Sequence, residues 1–315
     1  WGEKDGTVTN SERRISRQRG FLAAPAQAKP DWWALSQVAQ AMDFEGFNYQ
    51  SPADVFNEHA ALSAFENDTS IESGLRDFNL IGLGQLSLDQ YNALQPIQWP
   101  VLANDQGTER LFAKGQFYTP NRLARFLPLT SRAPKNALSA EYPFVLNTGR
   151  IRDQWHTMTR TGLTPRLLQH IGEPYAELHP NDAKKLLIQA GDLVEVSSAW
   201  GKAVVRAQLS EGQREGSVFV PMHWTGVLTR QSRVGAVVNP AVDPVSGQPE
   251  NKHTPVKISR FDAAWHGYLL SNTPLSLPEC DYAVAIRLEN GWRYELAHHQ
   301  KPHDWLDWAS VWLQQ

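Results

Sequence analysis

Apolar and polar positions along this chain follow two periods, and the change from one to the other divides it. Trp32, Leu35, Val38, Ala39 and Met42 recur at helical spacing and are expected to face a core. Pro30-Asp31 opens that helix, with proline near the start and an acid in the first turn. A second helix starts at Ser51-Pro52 and runs through Val55, Phe56 and His59 to about Phe65, with His59 read as a helix-face residue. From Asp68 to Leu138 the pattern weakens. Leu80-Ile81-Gly82-Leu83 reads as an apolar turn and Ser87 to Leu94 as a short helix. Arg110-Leu111-Phe112 and Gln116-Phe117-Tyr118 are expected to pair as a hairpin. Pro128, Arg132 and Pro134 mark a linker, with a domain boundary near residue 138.

Residues 139–260 switch to the strand period. Tyr142 to Leu146 reads as a buried strand, Ala176 to His179 as another, and Pro180 to Gln189 as a helix between strands. Asp192 to Val196 and Lys202 to Ala207 alternate apolar and polar residues, joined through Gly201. This pattern suits a closed six-stranded barrel, since closure leaves no exposed edge. Its expected interior is Val145, Val194, Val196, Val204, Phe219 and Val220. Beyond Phe261 the composition turns aromatic, with Trp265, Tyr268, Trp292, Tyr294, Trp305, Trp308 and Trp312. A hairpin around Asn290-Gly291 and an amphipathic helix from Asp304 to Leu313 are expected there. The fold class is therefore α+β, mainly β, in four parts: 1–66, 67–138, 139–260 and 261–315.

Composition narrows the classes. A chain of 315 residues can hold two compact units. Charged residues at 20% and a net charge of −3 argue against nucleic acid or an acidic membrane surface as the main partner. No apolar run approaches the length of a membrane span. Residue 1 is Trp, without an initiator Met or signal peptide, so the chain is expected to be a piece of a larger protein. The single cysteine, Cys280, excludes an internal disulfide framework and any C-x-x-C iron–sulfur or metal pattern. A reducing cytosol fits, though cysteines do not fix the compartment, and Cys280 reads as a small apolar residue or an incidental surface thiol. His298-His299 and His303 invite a metal reading, but adjacent histidines do not easily share one tetrahedral ion, so no metal site is expected.

The candidate chemistry sits in NTGRIRDQWHTMTRTG, residues 147–162. Asn147-Thr148-Gly149 ends a strand in a turn where backbone can approach a ligand. Arg150, Arg152 and Arg160 offer guanidinium forks that match phosphate oxygens. Trp155 adds a flat apolar face and His156 and Thr157 add donors. The stretch reads as a loop that wraps a phosphorylated, ring-bearing cofactor, or as a basic loop that solvates a strand end. A second candidate is the end of the strand Ser217 to Val220, which delivers Met222, His223 and Trp224. Stacking on a heterocycle and plain core packing are both open for the last two. A third is the long loop from Asn239 to Lys252.

The string TGRIRDQWHT resembles the dinucleotide-binding stretch of the molybdopterin oxidoreductases, the dimethyl sulfoxide reductase family. WGEKDGTVTNSERR (1–14), VPMHWTG (220–226) and DPVSGQPENKHTPVKI (243–258) agree in the right order. Within that family the pattern is most similar to the cytoplasmic assimilatory nitrate reductases of bacteria, where PDWW (30–33), SPADVFNEH (51–59) and LQPIQWPV (94–101) are also familiar. The resemblance implies that 139–260 is a double-psi β-barrel, preceded by a helical remnant of the central α/β domains and followed by a small α+β extension. It implies bis(molybdopterin guanine dinucleotide) as cofactor. The residues it marks are Lys4, Asp31, Thr148, Gly149, Arg150, Ile151, Arg152, Asp153, Gln154, Trp155, His156, Thr157, His223, Trp224 and Lys252. These are expected to converge on one cleft. The family often has Asn near Gly235, so that contact is missing here or has moved to Asn239.

The activity implied is reduction of nitrate to nitrite, with electrons from a flavoprotein reductase, ferredoxin or flavodoxin. The family's 4Fe-4S cysteines and molybdenum ligand belong to segments N-terminal of Trp1, so no catalytic residue is expected here and the chain alone should be inactive. The cysteines of an iron–sulfur domain that can follow in related nitrate reductases are absent. The alternatives are a formate dehydrogenase, a periplasmic-type nitrate reductase, or a nucleotide-binding module without catalysis, since fold likeness alone cannot separate them.

Overall fold

The computed structural model describes residues 2–67, 76–103 and 106–313. Backbone contacts divide the chain into two units, residues 1–129 and 130–315.

In the first unit, β1 (Gly6–Thr9) and β2 (Arg14–Gln18) pair antiparallel, with Thr7 opposite Arg17. The Asn10 side chain closes their turn by accepting the N–H groups of Glu12 and Arg14 at 2.9 and 3.0 Å. Helices α1 (Asp31–Ala41), α2 (Pro52–Ala64) and α3 (Leu88–Ala93) follow, and β3 (Ile97–Gln98) then adds to β2. Proline begins α2, and the Asp54 carboxylate receives the Ser51 N–H at 2.9 Å, satisfying an otherwise orphaned donor. Ile15, Phe56, Ala60, Leu80, Leu83, Tyr91 and Val101 form the core.

Two expectations fail in this unit. The apolar stripe of α1 does not meet a core: Leu35, Val38 and Met42 are 69%, 57% and 62% exposed, and Ser36 is the residue that is buried. Spacing reports that a face is apolar; it cannot report that this chain covers it. The hairpin expected over 110–118 is instead a pair of turns, in which the Phe112 and Phe117 rings stack at 4.8 Å. Neither three-residue run finds a ladder partner, so local ring packing sets the conformation.

The second unit holds the barrel. Its strands are β4 (Phe144–Gly149), β5 (Tyr175–Leu178), β6 (Leu193–Ser197), β7 (Lys202–Leu209), β8 (Ser217–Pro221) and, after the two-residue β9 (Thr229–Arg230), β10 (Thr254–Arg260). Helices α4 (Pro165–Leu168) and α5 (Pro180–Lys185) lie in the connections. The order β10-β4-β8-β5-β7-β6 closes through the β6–β10 pair, with β4–β8 and β5–β7 parallel and the other pairs antiparallel. This is the double-psi barrel, and its interior is filled by Phe144, Leu146, Leu178, Val194, Val196, Val205, Val218, Val220, Val256 and Ile258 among others.

Val194, Val196 and Val220 point inward as expected, but Val145 and Phe219 are half-buried and point out. On β4 and β8 neighbouring positions are all bulky and apolar, so the phase of a period-two pattern is ambiguous, and a shift of one residue exchanges the faces. Val204 also leaves the barrel interior. It packs beneath the extension, in a second core with Trp224, Trp265, Tyr282, Tyr294 and Trp312. Strand β7 is thus buried on both faces, which explains its unbroken Ala203-Val204-Val205 run.

That second core belongs to a sheet ordered β11-β13-β12-β9, where β11 is Trp265–Ser271, β12 Tyr282–Leu288 and β13 Gly291–His298. The hairpin expected at Asn290-Gly291 is present, with Gly291 opposite Leu288. Gly291 has φ +155, and a Cβ there would lie 2.3 Å from the Ser271 carbonyl oxygen. Helix α6 (Trp305–Leu313) brings Trp305 and Trp308 edge-on to Trp265, at 4.9 and 5.4 Å.

Candidate cofactor rim of the barrel

Because β4 and β8 run parallel, both strands end at the same rim of the barrel and their following loops meet. The Met222 N–H donates to the Gly149 carbonyl at 2.9 Å. The Ile151 N–H donates to Nε2 of His223 at 3.0 Å. His223 is only 3% exposed. Burial, and then the positive charge of Arg150, holds its imidazole below the ordinary histidine range. His223 therefore serves as a neutral acceptor that fixes the start of the loop.

A Cβ at Gly149 would come within 2.7 Å of the Phe219 ring, which would have to shift. Thr148 is buried, and its hydroxyl donates to the Asn251 carbonyl at 3.1 Å. Its own carbonyl accepts from the Lys252 ammonium, so the Asn239–Lys252 loop is tied to the rim. Asn239 is spent inside that loop: its amide nitrogen donates to the carbonyls of Glu250 and His253 at 3.1 and 2.9 Å.

The two candidate arginines differ. Arg152 is committed, donating twice to Asp153 at 2.9 and 3.2 Å and lying 3.2 Å from Nδ1 of His170. Those bonds, from Arg152 first and His170 second, hold the Asp153 carboxyl below its ordinary range. Arg150 is exposed and has no hydrogen bond or ion pair among the described residues. It lines a cavity of about 260 Å³ with Trp155, His156, Thr157, Met222 and His223. The Trp155 indole is 59% exposed and stacks on His156, with centroids 3.9 Å apart and planes at 23°. His156, Thr157 and Met158 take φ values of 44°, 53° and 62° in succession. Three left-handed residues other than glycine cost roughly 1–2 kcal/mol each, and burial of Met158 helps to hold them.

Thr148, Gly149, Arg150, Ile151, Trp155, His156, Thr157, His223 and Lys252 thus gather at one rim. Arg152, Asp153 and Gln154 turn instead toward residues 167–170, where the Gln154 amide nitrogen reaches the Leu167 carbonyl at 3.4 Å. Trp224 lies in the second core, 2% exposed. In the first unit, Lys4 and Asp31 pair with each other at 3.0 Å. Asp31 is the first residue of α1, with Pro30 in the cap position before it. The sequence reading missed His170 as the partner of Asp153, and no motif marks it. Met222, delivered by the same strand as His223, lines the cavity as well.

Protonating His223 would break its bond from the Ile151 N–H. With a folded pKa below the unfolded one, the unfolded state binds more protons in the window between them, so stability falls as pH drops below about 6.5. A urea titration should show the midpoint falling from pH 7 toward 5, and His223→Asn should flatten that slope. An unchanged slope would show that His223 does not bind in the neutral form.

A family model described as "Molydopterin dinucleotide binding domain" matches residues 144–255. A protein named nitrate reductase from Klebsiella oxytoca is 44% identical over 312 residues, covering 98% of this chain and 35% of that protein. The F420-dependent formate dehydrogenase subunit alpha of Methanocaldococcus jannaschii is 33% identical over 262 residues, covering 83% of this chain and 36% of that protein. The chain therefore spans about a third of the length of these curated relatives. Among solved structures, acetylene hydratase from Pelobacter acetylenicus superposes with a TM-score of 0.55 at 14% identity, over 83% of this chain and 37% of that one, a likeness of fold.

Proposed function

From the match of residues 144–255 to the molybdopterin dinucleotide-binding family, we propose that the β4–β8 rim holds a guanine dinucleotide arm of bis(molybdopterin guanine dinucleotide). The observation that carries this reading is the unpaired Arg150 guanidinium on a cavity walled by Trp155, His156, Thr157, Met222 and His223. A guanidinium without a protein partner is available to a pyrophosphate, which it can meet bidentately. Lys252 adds positive charge at the same rim, and the exposed Trp155 face suits a flat ring. His223 sets the loop's backbone while remaining uncharged. Lys4 and Asp31 are proposed as further cofactor contacts on the first unit.

When bound, the cofactor supplies a molybdenum centre and its redox chemistry; this chain binds and orients it. The parent protein is then a nitrate reductase that forms nitrite for nitrogen assimilation in the cytoplasm. It would take electrons from a flavoprotein reductase, ferredoxin or flavodoxin through a 4Fe-4S cluster in its N-terminal part. The 98% coverage by the Klebsiella protein, against 83% by the formate dehydrogenase, favours nitrate over formate. Among the described residues no helix is long and apolar enough to cross a membrane.

The test is purification of the complete protein, with molybdenum and acid-released guanine nucleotide measured on the same sample. Nitrite formation from reduced viologen and nitrate is then compared with formate oxidation. Guanine, molybdenum and nitrite formation together are the expected result. Formate oxidation without nitrite formation would replace the substrate, and absence of guanine would leave a binding module of another kind.

A further inference from the structure

Asp281, His298 and His299 meet at one end of the extension sheet. Tyr282 pairs with Ala297, so the residue before β12 lies beside the last residue of β13. Successive strand residues point to opposite faces, which is why two adjacent histidines read as unable to share an ion. Strand β13 ends at His298, however, and the turn that follows brings both rings to one side, with centroids 4.6 Å apart. The third group comes from a neighbouring strand, out of reach of any local spacing rule.

The contacts make conflicting demands on one nitrogen. Nδ1 of His298 and Nδ1 of His299 each lie 2.5 Å from the same Asp281 oxygen, Oδ2. Nδ1 of His298 also receives the Asp281 backbone N–H at 3.2 Å. A nitrogen that accepts an N–H presents its lone pair, and a lone pair facing a carboxylate at 2.5 Å is repelled unless a cation intervenes.

We propose that Asp281, His298 and His299 form a binding site for a borderline divalent transition-metal ion, with Zn²⁺ the best match. One donor atom from each residue lies within 4.8 Å of the others. Zn²⁺ takes imidazole nitrogen at about 2.0–2.1 Å and carboxylate oxygen at about 2.0–2.2 Å. Tetrahedral donors therefore stand roughly 3.4 Å apart, and the 2.5 Å contacts need to open by about 1 Å, which side-chain rotation supplies. The set is two nitrogens and one oxygen, because the neighbouring Cys280 is no ligand. Its thiol is buried and donates to the Tyr282 carbonyl at 3.1 Å. A nitrogen–oxygen set favours Zn²⁺, Ni²⁺ or Co²⁺ over ions that need thiolate. His299 is 52% exposed at its side chain, which leaves an open side for a fourth ligand from solvent. The ion would clip the start of β12 to the end of β13, immediately before the chain turns toward α6.

The experiment is calorimetric titration of the EDTA-treated, untagged 315-residue chain with ZnCl₂, followed by the visible spectrum of its Co²⁺ complex. The expected result is one equivalent of Zn²⁺ bound, with Co²⁺ d–d bands characteristic of a four- or five-coordinate site. Loss of outer-sphere partners weakens metal sites about 10–100-fold, so His299→Ala and His298→Ala should each weaken binding by at least about tenfold. His303→Ala should leave it unchanged. Asp281→Asn keeps an oxygen to receive the His299 N–H while removing the charge, and should also weaken binding. Melting curves check that each variant is folded, and His299→Gln replaces any alanine variant that is not. Wild-type chain that binds neither Zn²⁺ nor Co²⁺ overturns the proposal. So does tight binding that survives the loss of both His298 and His299.

Discussion

Replacing Arg150 by alanine in the complete protein should, on the proposed cofactor reading, lower its bound molybdenum and guanine nucleotide together, by about tenfold or more. A charge-assisted hydrogen bond contributes roughly 1.5–3 kcal/mol, and each 1.4 kcal/mol is a factor of ten in retention. Two observations place the effect at Arg150. Its guanidinium has no protein partner among the described residues, so nothing compensates its loss and nothing competes for it. Arg152, by contrast, is already bonded to Asp153 and His170. Its removal should loosen the loop without removing the proposed phosphate contact, so Arg152→Ala should cost less. Both variants are compared with wild type after gel filtration, by metal analysis and by release of guanine nucleotide. Arg150→Ala retaining full metal and guanine, with Arg152→Ala losing both, would reverse the assignment.

The Thr148-Gly149 turn favours Arg150, which follows it directly, but what each guanidinium contacts was not legible in the sequence. Thr148-Gly149-Arg150 announces a strand end with a cation after it, and the barrel's alternation places that end at a rim. What occupies each guanidinium depends on His170, which no spacing rule connects to Arg152. The same limit appears in the fold. The barrel could be read from the strand period of β6 and β7, but the phase on β4 and β8 could not, because Val145 and Leu146, like Val218 and Phe219, are equally apolar. Helix α1 shows the converse: its stripe is correctly periodic, and still Leu35 and Met42 face solvent. Local pattern reports what a segment can bury. The partner, when it comes from far along the chain as Asp281 does for His298 and His299, is settled only by topology.

The largest effect on stability is expected at Glu173, which joins the barrel to the extension. Its Oε2 accepts from Arg206 Nη2 at 2.6 Å, from Arg206 Nε at 3.1 Å, and from the Tyr282 hydroxyl at 2.6 Å. Arg206 lies on barrel strand β7 and Tyr282 on extension strand β12, so one oxygen ties the two cores together. Tyr282 is fully buried, and the Arg206 and Glu173 side chains are 29% and 22% exposed. Glu173→Ala would leave a buried hydroxyl without its acceptor and a half-buried guanidinium without its counter-charge. Breaking a buried pair costs about 3–5 kcal/mol, and the partial exposure lowers that here to roughly 2–4 kcal/mol. Tyr282→Phe removes only a donor to the carboxylate and should cost about 1.5–3 kcal/mol. Burial, and then the Glu173 charge, pushes the Tyr282 phenol well above its ordinary value. The unfolded phenol ionises first as pH rises past about 10, so the wild type should lose stability there and Tyr282→Phe should lose less. Urea unfolding followed by tryptophan fluorescence reads both effects. A Glu173→Ala midpoint equal to wild type would mean that the apolar contacts of Val204 and Trp224 alone hold the extension to the barrel.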